Sequence, residues 1–126
     1  MPVFNGSANN LATQVQSGDT ITLFASSDSL TAPAVSTVIA PVDAGPVQRS
    51  AITFQAHFAT TPTASLTIKG SNFAPTAAGP QHGITVGTAI TTQDASVTAT
   101  EGYAFYWASL DSQSGGGALT VIAHVR

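Results

Sequence analysis

The stretch RSAITFQAHFATTPTASLTIKG (residues 49–70) decides the fold class of this 126-residue chain. In each half of it, apolar and polar residues alternate, which is the two-residue period of a strand with one buried face. A short connection containing Pro62 joins the halves. We therefore predict two strands, 49–59 and 63–70, paired as an antiparallel hairpin with one face in water. The residues expected to face inward are Ile52, Phe54, Ala56, Phe58, Ala64, Leu66 and Ile68.

Further strand patterns recur along the chain, separated by turn-forming Gly, Pro, Asn and Asp residues, while no segment sustains a helical apolar stripe. Short strands at such spacing are typical of all-β domains. We predict a single antiparallel β-sandwich or jelly roll of about eight strands over residues 19–126, with an extended N-terminal arm over residues 1–18. Pro33 and Pro41 bound one strand and favour an edge position for it. The other six strands are expected at 19–25, 35–42, 83–91, 95–100, 103–110 and 118–125.

Charge is scarce: Asp, Glu, Lys and Arg make up 7% of the residues, against ~25% in a typical domain. Three basic residues and a net charge of −3 cannot form the cationic surface that nucleic acid or an anionic membrane requires, so we expect neither partner. The start of the chain shows no signal-peptide pattern, which favours synthesis in a cytoplasm. A surface of Ser, Thr, Asn and Gln has little like-charge repulsion, and this favours packing against neighbouring subunits and a homo-oligomer.

No residue pattern in the chain indicates catalysis, a cofactor or a metal ion. The chain has no cysteine, and His57, His82 and His124 do not share a metal-binding spacing. The six acidic residues fall at expected strand ends or loops, where turn formation accounts for them. Neither a nucleophile elbow nor a glycine-rich phosphate loop is present. We therefore expect a protein that is not an enzyme.

An aromatic segment, EGYAFYWASLDSQSGGG (residues 101–117), carries the most distinctive side chains. Strand alternation predicts Tyr103, Phe105 and Trp107 on one face and Tyr106 on the other. Three large rings favour the core for the first face, and leave Tyr106 to meet a neighbouring subunit. The alternative is a sugar-stacking platform, on which Tyr103 and Trp107 would be exposed.

Two segments, residues 52–73 and 103–126, resemble small all-β virion proteins of tailed bacteriophages. The likeness lies in a strand–TPTA–strand–GS hairpin (Thr61 to Ala64, then Gly70-Ser71) and an aromatic strand leading through a Gly/Ser loop to the last strand. It covers under half of the chain, and its motifs are structural. The resemblance implies a repeated component of the capsid or tail without catalytic residues.

Composition and resemblance together predict a capsid decoration protein, which binds the assembled shell beside the major capsid protein or other virion subunits and so stabilises it. A trimer is the favoured homo-oligomer, and the virion is the expected location. The candidate interface residues are Phe4 on the arm and Tyr103, Tyr106 and Trp107 on the aromatic strand. The alternative function is a carbohydrate-binding or receptor-binding β-sandwich module of a phage tail or head.

Overall fold

A computed structural model describes residues 12–25, 32–41, 51–73, 83–115 and 117–126. The described residues are all-β and form ten strands in two sheets. The strands are β1 (Ala12–Val15), β2 (Thr20–Phe24), β3 (Ala34–Val35), β4 (Val38–Pro41), β5 (Ile52–Phe58), β6 (Thr63–Ser71), β7 (Ile84–Ile90), β8 (Asp94–Ala99), β9 (Phe105–Ser114) and β10 (Leu119–Val125).

Sheet A has six strands in the order β1-β4-β9-β6-β7, with β3 also paired to β9, and sheet B has four in the order β2-β10-β5-β8. All of these pairings are antiparallel except that of β1 with β4. The all-β prediction is confirmed, but β4 lies between β1 and β9 rather than at the expected edge. Because Pro41 is the last residue of β4, its missing N–H does not interrupt the strand interior.

Two features raise the strand number from the expected eight to ten. Strand β1 lies inside the predicted arm, where it pairs with β4, and Gly18 N–H donates to the Val125 carbonyl at 2.8 Å. The predicted strand at 35–42 is divided at Ser36, whose hydroxyl accepts a hydrogen bond from Ala108 N–H at 2.8 Å. The described part of the predicted arm, residues 12–18, is therefore attached to both sheets, and residues 1–11 lie outside the described ranges.

The hairpin predicted for residues 49–70 is wrong in its pairing. Strand β5 pairs with β10 and β8 in sheet B, whereas β6 pairs with β9 and β7 in sheet A. Residues 59–62 cross from one sheet to the other, held by the Ala59 N–H bond to the Ala118 carbonyl at 2.9 Å and the Thr60 hydroxyl bond to the Gly115 carbonyl. The alternation is correct in β5. In β6 it correctly directs Ala64, Leu66 and Ile68 toward the main cluster, but Thr67, expected in water, is buried. The pairing was mispredicted because two strands in sheets that face each other across a core carry the same pattern as two that pair side by side.

The main hydrophobic cluster draws its members from both sheets. The Phe54 ring of β5 meets the Tyr106 ring of β9, with centroids 5.8 Å apart and planes tilted by 46°. Every second residue of β5 and β10 is buried in this cluster, as the sequence period predicts. Burial of this apolar surface is the main favourable contribution to folding. The fully buried large side chains are Tyr106, Phe54, Phe58, Ile39, Ile52, Leu66, Ile68, Leu110, Leu119, Val15, Val121 and Val125.

Candidate interaction surface

The outer face of sheet B, which we call the polar face, is a regular and open surface. Because inward residues alternate with outward ones, each strand presents its polar set to the same side. Strand register places these outward residues in three rows that cross the sheet. The rows are Thr20-His124-Thr53-Thr98, Thr22-Ile122-Gln55-Ser96 and Thr120-His57-Asp94.

Uncharged hydrogen-bonding groups dominate the polar face. Of its eleven residues only Asp94 is acidic and two are histidines, and all are exposed or half-buried. Ile122, 38% exposed, lies in the middle row between Thr22 and Gln55. Hydroxyl and amide groups can bond to a polar partner without the desolvation of a charge, which is the costly step in burying ionic groups at an interface, so that Asp94 is the acidic residue that would add this cost.

Two histidines on the polar face have hydrogen-bond partners in their own rows. His57 Nδ1 lies 2.6 Å from Asp94 Oδ1, and His124 Nδ1 lies 2.9 Å from the Thr20 hydroxyl. The His57 and Asp94 side chains are 56% and 62% exposed, so solvent screens their attraction. Thr120 flanks His57 on the other side, but its hydroxyl makes no hydrogen bond to the imidazole. The His57–Asp94 pair is therefore a solvent-exposed contact between neighbouring strands.

No three His, Asp or Glu residues within the described ranges lie close enough together to hold a metal ion. His57 and His124 project from the same face but belong to the third and first rows, respectively. His82 lies outside the described residues.

Among the predicted interface residues, Tyr106 is the clearest correction. It is fully buried in the main cluster, and its hydroxyl donates to the Glu101 carbonyl and accepts from Tyr103 N–H at 3.2 Å. A buried phenol needs such partners for its hydroxyl. Tyr106 therefore points into the core, and in this structure it offers no surface to a neighbouring subunit.

Tyr103 lies on the core side and does not share a face with Phe105 and Trp107. Its ring meets the Tyr106 ring edge-on, with centroids 5.9 Å apart, and covers Gly70 of β6. A Cβ built on Gly70 would lie 2.4 Å from Tyr103 Cδ2, so the glycine makes room for the ring. The alternation failed here because β9 begins at Phe105, which leaves Tyr103 outside the regular strand.

Trp107 and Phe105 form a second, smaller hydrophobic cluster on the outer side of sheet A, together with Val38 and Ala40. Trp107 is 3% exposed. The backbone of Gly83 lies against its ring, since a Cβ at that position would be 2.6 Å from Trp107 Cζ2. The expectation that these two rings are buried is confirmed, but in a separate cluster from the main core. A buried ring cannot stack on a sugar. In this structure Trp107 is therefore not placed to act in the sugar-stacking platform that the sequence offered as an alternative.

Beyond the second cluster, the outer side of sheet A carries a tight hydrogen-bonded group. The Asp111 carboxylate accepts from the Thr67 hydroxyl at 3.1 Å and from the Ser109 hydroxyl at 2.8 Å. These acceptor sites on Asp111 are already occupied within the chain, whereas most hydroxyls of the polar face have no intramolecular bond. We therefore take the polar face of sheet B as the candidate interaction surface. Phe4, the fourth predicted contact residue, lies outside the described residues.

The sequence indicated single outward residues of the polar face but not their arrangement. Alternation correctly predicts that Thr53, Gln55 and His57 point outward from β5 and that His124 points outward from β10. The three rows arise only from the pairing of four strands that are distant in sequence, and periodicity carries no information about such pairing.

Comparisons with known proteins add no relative: no family model matches the chain, and neither a curated protein nor a solved structure matches it significantly. The resemblance to phage virion proteins therefore stays a prediction. The described residues also contain no helix that is long and apolar enough to cross a bilayer.

Proposed function

We propose that this chain is a virion structural protein of a tailed bacteriophage, and that it acts as a capsid decoration protein which binds the assembled shell and stabilises it. The observation that carries the proposal is the polar face, an ordered array of hydroxyl, amide and imidazole groups with one acidic residue. Such a face suits contact with a repeated protein surface, because it needs no specific counter-charge.

In this proposal the two sheets form one β-sandwich, as expected for the virion proteins that the sequence resembles. The polar face meets the major capsid protein or another virion subunit, and Phe4 adds a contact from the N-terminal segment. Since the decoration protein binds the assembled lattice and not its free subunits, binding stabilises the lattice by mass action. The protein is made in the host cytoplasm and ends in the virion.

The test mixes the purified chain with capsid shells of the phage that encodes it, prepared without the chain. We expect the chain to sediment with the shells and to raise the temperature at which they disassemble. A chain that neither sediments with the shells nor changes their thermal stability would overturn the proposed function.

Two exposed isoleucines provide a matched pair of variants for locating the contact. Ile122→Asp places a carboxylate in the middle row of the polar face, whereas Ile84→Asp places one on β7 of sheet A, where Ile84 is 55% exposed. We expect Ile122→Asp to abolish shell binding and Ile84→Asp to retain it. The reverse result would keep the shell-binding role but reject the polar face as its surface.

A further inference from the structure

Each sheet ends in strands whose outer edge has no partner among the described strands, and these four edges differ in how they are protected. Strand β1 has only four residues. The pairing of β2 with β10 is interrupted by a bulge at Val121/Ile122, and that of β7 with β6 by a register shift at Leu66/Ile68. Short length and bulges are both devices that prevent an edge from accepting another strand.

Strand β8 lacks these protections. Its six residues pair with β5 in one unbroken register, from Ile52 opposite Ala99 to His57 opposite Asp94. Asp94, at the first position, is its only charged residue, and the strand contains no proline. Strand β8 is therefore the longest regular edge among the described strands, and the one best able to add a strand.

The direction of its backbone groups follows from one hydrogen bond. Phe58 N–H donates to the Gln93 carbonyl at 2.9 Å, so this opposed pair is a hydrogen-bonded one. Because bonded and non-bonded pairs alternate in an antiparallel ladder, residues 95, 97 and 99 bond inward to β5. The N–H and C=O groups of Asp94, Ser96 and Thr98 consequently point toward the open edge. The Asp94 carbonyl also accepts a hydrogen bond from the Thr92 hydroxyl at 3.2 Å, and its second lone pair can still accept a bond from another strand.

These three outward residues form a set that is complementary to itself. When two copies of β8 lie antiparallel with Ser96 opposite Ser96, Asp94 of each copy lies opposite Thr98 of the other. All three opposed pairs are then hydrogen-bonded pairs. A two-fold axis midway between the two Ser96 residues relates the two copies. The two Asp94 residues are offset by four positions, or about 14 Å along the strand, which is beyond the screening length at physiological salt.

We infer that β8 is a dimerisation edge, at which a second copy of this chain extends sheet B into one continuous sheet across the two-fold axis. A second copy of β8 can pair with this edge for two reasons. The outward bonding positions are placed symmetrically about Ser96, and the pairing puts no like charges opposite each other. A two-fold contact makes a dimer the basic unit in place of the expected trimer. It also brings the polar faces of both copies to the same side of the extended sheet.

This pairing does not depend on the proposed virion role, so it is tested on the free chain. Ser96→Pro removes an outward N–H from each copy without removing a bond to β5, and Ser96→Ala keeps that N–H. Light scattering across a concentration series should show a dimer for the unchanged chain and for Ser96→Ala. We expect Ser96→Pro to weaken dimerisation at least about tenfold, because two hydrogen bonds are lost per dimer.

A cross-linking measurement keeps the inference testable if Ser96→Pro does not fold. The natural chain contains no cysteine, so a single introduced thiol reports its own neighbourhood. Ser96→Cys should be cross-linked between copies by a short bismaleimide, whereas Thr98→Cys should not, since its two copies would be about 14 Å apart along the strands. A chain that stays monomeric at the highest concentration measured, or equal cross-linking of both variants, would overturn the dimer. Shell binding by such a monomer would leave the proposed function intact.

Discussion

Strands β5 and β9 are both central strands with a neighbour on each side, yet they are buried differently. In β5 every second residue is buried and the residues between them are exposed or half-buried. In β9 the first four residues are all buried, with Tyr106 and Ala108 in the main core and Phe105 and Trp107 in the second cluster. A central position in a sheet therefore does not determine whether one face or both are covered.

The difference lies in what covers the second face. The second face of β5 belongs to the polar face, where neighbouring strands also present Thr, Ser and His. The second face of β9 adjoins Val38 and Ala40 of β4, so that apolar groups meet across strands and exclude water together. The two sheets thus differ: sheet A buries apolar groups on both sides of its centre, whereas one side of sheet B is exposed or half-buried.

Tyr106→Ala should produce the largest loss of stability of the changes considered. Tyr106 is fully buried and contacts Phe54 and Tyr103, so removal of its ring would leave a cavity in the main core. Replacement of a buried aromatic residue by alanine typically lowers the free energy of unfolding by about 3–5 kcal/mol. Urea unfolding followed by far-UV circular dichroism measures this loss.

Tyr106→Phe separates the ring from its hydroxyl. It keeps the packing but removes the bonds to the Glu101 carbonyl and Tyr103 N–H, so we expect a loss of about 1–3 kcal/mol. If Tyr106→Ala costs no more than Tyr106→Phe, the ring cannot be packed in the core as described.

The aromatic segment shows what sequence alternation can establish and where it stops. It correctly separates Tyr106 from Phe105 and Trp107, because these three residues lie within one regular strand. It fails for Tyr103, which precedes the strand, and it does not indicate which face is the main core. Three adjacent rings suggested the core face, but the core is formed by the face with Tyr106, Ala108 and Leu110, since sheet B lies against that side.

The crossing between β5 and β6 shows the same limit for topology. Alternation and the short connection around Pro62 identify two strands with inward apolar residues, and both strands exist. Their neighbours are set by contacts with β8, β9 and β10, which are distant in sequence. The fold class is therefore predictable from local patterns, whereas the polar face depends on pairing and is not.

Trp107→Ala should cost less than Tyr106→Ala, and so distinguishes the second cluster from the main core. The ring is nearly buried, but within the described ranges its cluster has three other buried members, Val38, Ala40 and Phe105, on the outer side of sheet A. Replacement of a buried aromatic residue by alanine typically costs about 3–5 kcal/mol, and we expect the loss at Trp107 near the lower end of this range, because a cluster on the outer side of a sheet can relax around the gap more easily than the main core. Because Trp107 is the only tryptophan, unfolding of this variant is followed by circular dichroism.

The fluorescence of the unchanged chain provides the control. A buried Trp107 should emit at short wavelength, and added sugars should not quench it. Emission typical of exposed tryptophan, or quenching by a glycan, would instead favour the alternative in which Trp107 is exposed and stacks on a sugar. A loss for Trp107→Ala equal to that for Tyr106→Ala would remove the distinction between the two clusters.

The smallest expected effect concerns His57 and Asp94 on the polar face. Their side chains are more than half exposed, so the coupling between them should be about 0.2–1 kcal/mol in a double-mutant cycle. The variants are His57→Ala, Asp94→Ala and the double change, measured by urea unfolding at neutral pH. The low value follows from solvent, which screens the pair and also hydrates each partner when the other is removed.

A coupling above about 2 kcal/mol would mean that the pair is shielded from water, as happens when another subunit covers the polar face. Repeating the cycle at a concentration where the chain is monomeric decides between these cases, because shielding by a second copy disappears on dilution whereas shielding within the chain does not.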